Sequence, residues 1–150
     1  MTSARSLRDA LRRLLVASRA LDPNERPCGT PMSLPHAHAL LTLLSSAGPL
    51  SIAELASSLH IDRTNVSRLC ARMEALGEVE RRPDPNDRRS VRVRLSPSGH
   101  LLATHIDTRS AAHFSNILDA MGPDSAGVLD ALIHLTDALQ HVESSPETTQ

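Results

Sequence analysis

The chain is nearly without aromatic side chains: Phe114 is the only one among 150 residues, with no tyrosine and no tryptophan. Any ligand pocket it forms is therefore expected to be aliphatic, anchoring an anion through arginine or histidine rather than by stacking. Cysteine is also scarce. Cys28 and Cys70 give no disulfide framework and suit a reducing compartment. No apolar run approaches the roughly 20 residues needed to span a bilayer. Arg5, Arg8, Arg12 and Arg13 interrupt the apolar stretch that a secretory signal requires. The expected location is the cytoplasm. Zinc-finger spacing, a glycine-rich phosphate loop and a nucleophile elbow are missing. So is any nucleophile–base or carboxylate pair at a spacing that assigns catalysis, and the chain is not expected to be an enzyme. Lysine is absent as well, all sixteen basic residues being arginine.

Charge is present but unevenly placed. The formal net charge is −1, yet residues 61–94 hold nine arginines against six acidic residues, or +3. The remainder holds seven arginines against eleven acids, or −4, and within 107–150 Arg109 alone faces seven acids. Such a division marks one segment as the face for a polyanion.

The basic segment ends in a hairpin pattern. Residues 79–96 place two strand-like runs on either side of Pro83-Asp-Pro-Asn86, a turn sequence. Val91, Val93 and Leu95 alternate with Arg92 and Arg94, giving one apolar and one cationic face. A protruding hairpin tipped with guanidinium groups fits a duplex minor groove, whose negative potential attracts inserted arginine. The same charges would also serve a solvated edge hairpin that resists aggregation.

Upstream, two helices separated by a short turn are expected. Ser51 and Glu54 have the spacing of a capping box, followed by an apolar face of Ile52, Leu55, Ala56 and Leu59. After His60 and Ile61, Asp62 is a good N-cap for a helix from Arg63 to about Leu76, closed by Gly77. Val66, Leu69, Cys70, Met73 and Leu76 share one face of it; Arg63, Thr64, Asn65, Ser67, Arg68 and Arg72 share the other. The second set consists of side-chain types that reach base edges and phosphates. Helix, turn, helix and arginine-tipped hairpin in this order predict a winged helix.

In these residues the chain resembles the MarR family of bacterial transcriptional regulators. The resemblance is carried by Leu50-Ser-Ile-Ala-Glu-Leu-Ala56, Asn65-Val-Ser-Arg-Leu69 and Met73-Glu-Ala-Leu-Gly77, then by Asp87-Arg-Arg89, Val93-Arg-Leu-Ser96 and Ser98-Gly99. It covers about half of the chain. It implies a mainly α fold with a small β-hairpin wing (α+β), in which 1–150 form one MarR-like domain. Within it, 34–96 would be the winged helix-turn-helix DNA-binding lobe, 1–21 and 97–142 a helical dimerisation lobe, and 143–150 a frayed tail. It further implies a homodimer on double-stranded DNA, with helix 63–76 in the major groove and Arg88 or Arg89 in the minor groove. Asp87 would be the acidic partner holding the wing arginines. The expected function is sequence-specific transcriptional regulation, as a ligand-responsive repressor on a pseudo-palindromic operator. A winged-helix module docking an acidic protein partner is the alternative.

The flanks are consistent with a dimer. A first helix over about Ser3 to Ala20 carries Leu7, Leu11, Leu14, Leu15 and Ser18 on a stripe. A second begins near Pro35 and stops at Gly48-Pro49. Ser96-Pro97 opens a long helix to about Met121, and Asp124 or Ser125 starts the last, with Val128, Leu132, Leu135, Leu139 and Val142 at helical spacing. Helices one, five and six carry more apolar surface than a lone chain readily covers, and a two-fold partner would cover it, setting two recognition helices about one helical turn apart.

The sensed signal is the least legible feature. By resemblance to metal-sensing members of the family, Cys28, His36, His38, His105 and His113 are candidate ligands for a zinc-type metal. Against this, Arg109 stands four residues after His105, where a second histidine would complete a ligand pair. Cys28, with Arg26 and His36 as cationic neighbours, is alternatively a candidate redox thiol. By resemblance, the commonest effector is a small aromatic or phenolic compound bound between the dimerisation and DNA-binding lobes, here a small organic anion held by Arg or His in an aliphatic pocket, with no cofactor required.

Overall fold

The computed structural model describes residues 3–20 and 32–144. Its elements are α1 (Ala4–Ala17), α2 (Leu34–Ser45), β1 (Leu50–Ser51), α3 (Ile52–Leu59), α4 (Arg63–Ala75), β2 (Val79–Pro83), β3 (Val91–Leu95), α5 (Pro97–Met121) and α6 (Val128–Ser144). A 3-10 segment, Gly122–Gly127, joins the last two. The mainly α fold with a hairpin wing is the one expected. Contacts divide the chain into two compact units, residues 1–113 and 114–150.

In the first unit, short-range chemistry sets the helix ends. The capping box is complete: the Glu54 N–H donates to Ser51 Oγ at 3.1 Å and the Ser51 N–H donates to Glu54 Oε2 at 2.7 Å. Helix α3 closes at His60, which adopts φ 52° in the left-handed region. Asp62 Oδ1 accepts the Asn65 N–H at 3.0 Å, satisfying one of the first-turn donors of α4. At the other end Gly77, at φ +75°, donates to the Glu74 carbonyl, and the Glu78 N–H reaches Met73. This is the Schellman closure for which glycine is suited.

The three strands form an antiparallel sheet in the order β1-β3-β2. Val93 faces Leu50 and Arg81, while Arg92 faces Ser51 and Arg82. Period-2 alternation thus puts Val93 inward and Arg92 and Arg94 on the outer face. The core joins Leu40 of α2, Leu55 of α3, Val66, Cys70 and Met73 of α4, Val93 of β3, and Ala103 and Ile106 of α5. Segment 34–96 therefore shares its core with the first turns of α5.

Two sequence expectations need correction. Leu76 is 60% exposed rather than on the apolar face of α4. Ten residues beyond Val66 it lies about 80° off that residue's direction, at the edge of the stripe. Helix α6 begins at Val128, later than Asp124 or Ser125. Pro123 and Gly122, the latter at φ +60°, start a tighter 3-10 turn instead, in which the Val128 N–H bonds the Ser125 carbonyl.

In α1 no residue is buried, and Leu7, Leu14, Leu15 and Val16 are exposed. In the second unit no described residue is buried either; Phe114, Ile117 and Leu118 of α5 and Leu129, Leu132, Ile133, Leu139 and Val142 of α6 lie open.

Candidate nucleic-acid interface

Helix α4 turns Arg63, Thr64, Asn65, Arg68 and Arg72 outward, with Ser67 half-buried beside them. The Asn65 amide donates to Asp62 Oδ2, so it is held against its own N-cap. Below the helix, residues 84–90 form the wing turn. The Asp84 N–H donates to Ser90 O and the Ser90 N–H to Asp87 O, both at 2.9 Å. Asp84 Oδ1 accepts the Asn86 N–H at 2.9 Å, and Asp87 Oδ1 accepts the Arg89 N–H at 3.0 Å. These side-chain-to-backbone bonds fold the turn locally and leave Arg88 and Arg89 exposed.

Asp87 therefore holds Arg89 through its main chain. The carboxylate that pairs with a wing guanidinium is Asp84, whose Oδ2 accepts from Arg92 Nε at 2.7 Å. Arg92 Nη1 also donates to Glu54 Oε2 at 2.9 Å. On the same outer face Arg94 pairs with Glu80 at 2.6 Å and Arg82 reaches that carboxylate at 3.4 Å. Arg81, on the inner face, reaches Glu74 at 3.6 Å, while its Nε is buried with no partner among the described residues.

The nine arginines of 61–94 are thereby sorted. Four of them (Arg81, Arg82, Arg92 and Arg94) are in ion pairs. Among the described residues the other five, Arg63, Arg68, Arg72, Arg88 and Arg89, have no acidic partner. All five stand on α4 or at the wing tip.

The acidic partners are tuned by these bonds. Asp84 is held below the usual carboxylate range by the Asn86 backbone N–H and then by Arg92. Glu54 is lowered by the Ser51 backbone N–H, and Glu80 by its bond from Arg94. The Asp84 bond raises Arg92 in turn.

An open groove of about 500 Å³ runs between the start of α2 and α4, with Ile61, Val66 and Leu69 against Asn65, Arg68 and Arg72. The proposed metal ligands among the described residues form no cluster. His36 is buried with its Nε2 2.5 Å from Glu78 Oε2, whereas His38, His105 and His113 are exposed. Among the described residues no group of three or more His, Cys, Asp or Glu could hold a metal ion. Cys28, as ligand or as redox thiol, lies outside the described residues. Cys70 is in the core of α4, where burial pushes its thiol up. Sequence reasoning missed Glu54, Asp84 and Arg92 as one cluster, because Glu54 and Arg92 are 38 residues apart and no local pattern links them.

A family model for the MarR family matches residues 30–90, from the start of α2 through the wing turn. Over that segment the chain is similar to the MarR family of winged helix-turn-helix transcriptional regulators. It is 37% identical over 60 residues to the multiple antibiotic resistance protein MarR of Salmonella typhimurium, a match covering 40% of this chain and 42% of that one. The chain thus spans less than half the length of that curated relative. The similarity to solved MarR-type structures runs further. RV1404 from Mycobacterium tuberculosis superposes with a TM-score of 0.64 at 25% identity, over 99% of both chains. A cysteine-to-serine mutant of MarR from E. coli, solved with operator DNA, superposes with a TM-score of 0.67 at 20% identity, over 90% of this chain and 99% of that one. Among the described residues, no helix of this chain is long and apolar enough to cross a membrane.

Proposed function

We propose that this chain is a sequence-specific double-stranded-DNA-binding transcriptional regulator that acts as a homodimer, as a repressor. The observation that carries the reading is the sorting of the arginines. Where the fold pairs a guanidinium with a carboxylate, the residue serves the protein; the five left unpaired among the described residues stand where a winged helix meets a duplex. Arg63, Thr64, Asn65, Ser67, Arg68 and Arg72 would read or position the major groove, and Arg88 and Arg89 the minor groove. Asp87 supports the wing by fixing the backbone of Arg89. The exposed apolar faces of α1, α5 and α6 support a second copy as partner.

A small organic anion is the effector class we favour. In the groove beside α4 it would find an apolar floor and the unpaired Arg68 and Arg72. It would occupy cations that the duplex needs, so the two ligands would oppose each other.

Fluorescence anisotropy with the DNA upstream of the chain's own gene tests the reading. Wild-type affinity is expected to fall with salt at a log–log slope of about −0.9 per neutralised phosphate, and Arg68→Ala or Arg72→Ala should flatten that slope by about one phosphate's worth. Arg89→Ala should abolish or greatly weaken binding while the protein stays folded. Unchanged affinity for Arg89→Ala would remove the wing from the mechanism.

A further inference from the structure

By pattern, Arg92 is one more cation on the charged face of the hairpin. Its surroundings are different from those of Arg88 and Arg89. It lies on the middle strand, opposite Ser51 on one side and Arg82 on the other. Its guanidinium joins three elements: Nε to Asp84 in the wing turn, Nη1 to Glu54 in the first turn of α3, and Nη1 again to the Pro49 carbonyl before β1 at 3.4 Å. The Asp84 side chain is only 7% exposed. The cluster of Arg92, Asp84 and Glu54 carries a net charge of −1, which does not attract phosphate.

We infer that Arg92 is a positioning residue for duplex binding: it braces the wing turn against the first turn of α3, so that Arg88 and Arg89 are presented at a fixed offset from α4. The inference rests on the DNA-binding reading above. A two-stranded ribbon is marginal by itself, and on the α3 side this one is paired with only the two residues of β1. Asp84 is also the residue that closes the wing turn, through its bonds to Ser90 and Asn86. An arginine that holds Asp84 from outside the turn sets the angle of the whole loop. Without the brace, the wing would have to be ordered when the duplex binds, and affinity would fall by that amount.

A brace and a phosphate contact predict opposite signs for the acidic partners. If Arg92 touched the duplex, Asp84→Asn and Glu54→Gln would remove negative charge near DNA, free the arginine and tighten binding. If Arg92 is a brace, both variants weaken binding although each makes the site more positive. Glutamine keeps the capping box through its amide oxygen, and weakens the Arg92 bond to that same oxygen by removing the carboxylate charge.

The experiment measures operator affinity and its salt slope for wild type, Arg92→Ala, Arg92→Lys, Asp84→Asn and Glu54→Gln, with far-UV circular dichroism confirming the fold. Arg92→Ala, Asp84→Asn and Glu54→Gln are each expected to weaken binding on the order of tenfold, about the worth of one charged hydrogen bond, with the salt slope unchanged. Arg92→Lys should recover part of the loss, because an ammonium reaches one carboxylate but lacks the fork to hold both. If Arg92→Ala does not fold, the two carboxylate variants decide. Tighter binding by those variants, or a slope reduced by about one phosphate in Arg92→Ala, overturns the brace and leaves the DNA reading standing. A wild-type chain that binds no duplex removes both.

Discussion

Gly99 lies against the main chain of Glu78, so close that a Cβ on Gly99 would fall 1.7 Å from the Glu78 carbonyl oxygen. This approach fastens the first turn of α5 to the turn that ends α4. The same junction is bonded from Ser96, whose N–H donates to Glu78 O at 3.0 Å, and from Ser96 and Ser98, whose hydroxyls donate to Gly77 O at 2.5 and 2.8 Å. In a free helix Gly→Ala is stabilising by about 1 kcal/mol. Here the methyl would meet backbone, which cannot turn aside as a side chain can. Gly99→Ala is therefore expected to lose about 2 kcal/mol or more. A urea titration followed by circular dichroism reads the sign; an unchanged or higher midpoint would refute the close packing.

The lowered carboxylates set an acid limit. Glu54, Asp62, Glu80 and Asp84 all ionise more readily than free carboxylates, through backbone N–H bonds at Glu54, Asp62 and Asp84 and through Arg94 at Glu80. A group with a depressed folded-state value adds stability above its unfolded value, and that stability disappears as pH falls through the folded value. These four should contribute no change between pH 7 and pH 5, then a falling stability below about pH 4. Urea midpoints across that range measure it, and Asp84→Asn should flatten part of the fall. A wild-type curve that is level down to pH 2 would show that these bonds do not differ from the unfolded chain's.

The open leucines of α6 test the homodimer. Leu132 and Leu139 are 45% and 46% exposed in the single chain and seven residues apart on one face. Replacing both with glutamate should raise the dimer dissociation constant on the order of 30-fold or more, as loss of a buried anchor does. Sedimentation velocity at micromolar concentration distinguishes the species. Wild-type protein that sediments as a monomer would leave these faces needing another explanation.

Much of the fold was legible because its signals are local. Ser51 with Glu54, Asp62 before Arg63, and Gly77 after Leu76 act within one helical turn, and the structure places all three as the spacing predicts. The limits of α5 at Pro97 and Met121 follow from the prolines and Gly122. The candidate site was legible in its residue types but not in its pairing. Asp87 stands nearest the wing arginines in sequence, yet its bond is to the Arg89 main chain; Asp84 takes the guanidinium of Arg92, because the cross-strand register brings that strand residue back over the turn. His36 is a metal candidate by residue type, but it meets Glu78, 42 residues away, across the core.

Taken alone, the order of amino acids determined where α3, α4 and α5 start and stop, which strand positions turn inward, and that positive charge gathers in 61–94, since caps and periodicities act over a few residues. Only the tertiary structure decided which four of the nine arginines there are bound to carboxylates and which five have no acidic partner among the described residues. Ion pairs depend on distance in space, and the folding of β3 between β1 and β2 brings Glu54, Asp84 and Arg92 within hydrogen-bond reach.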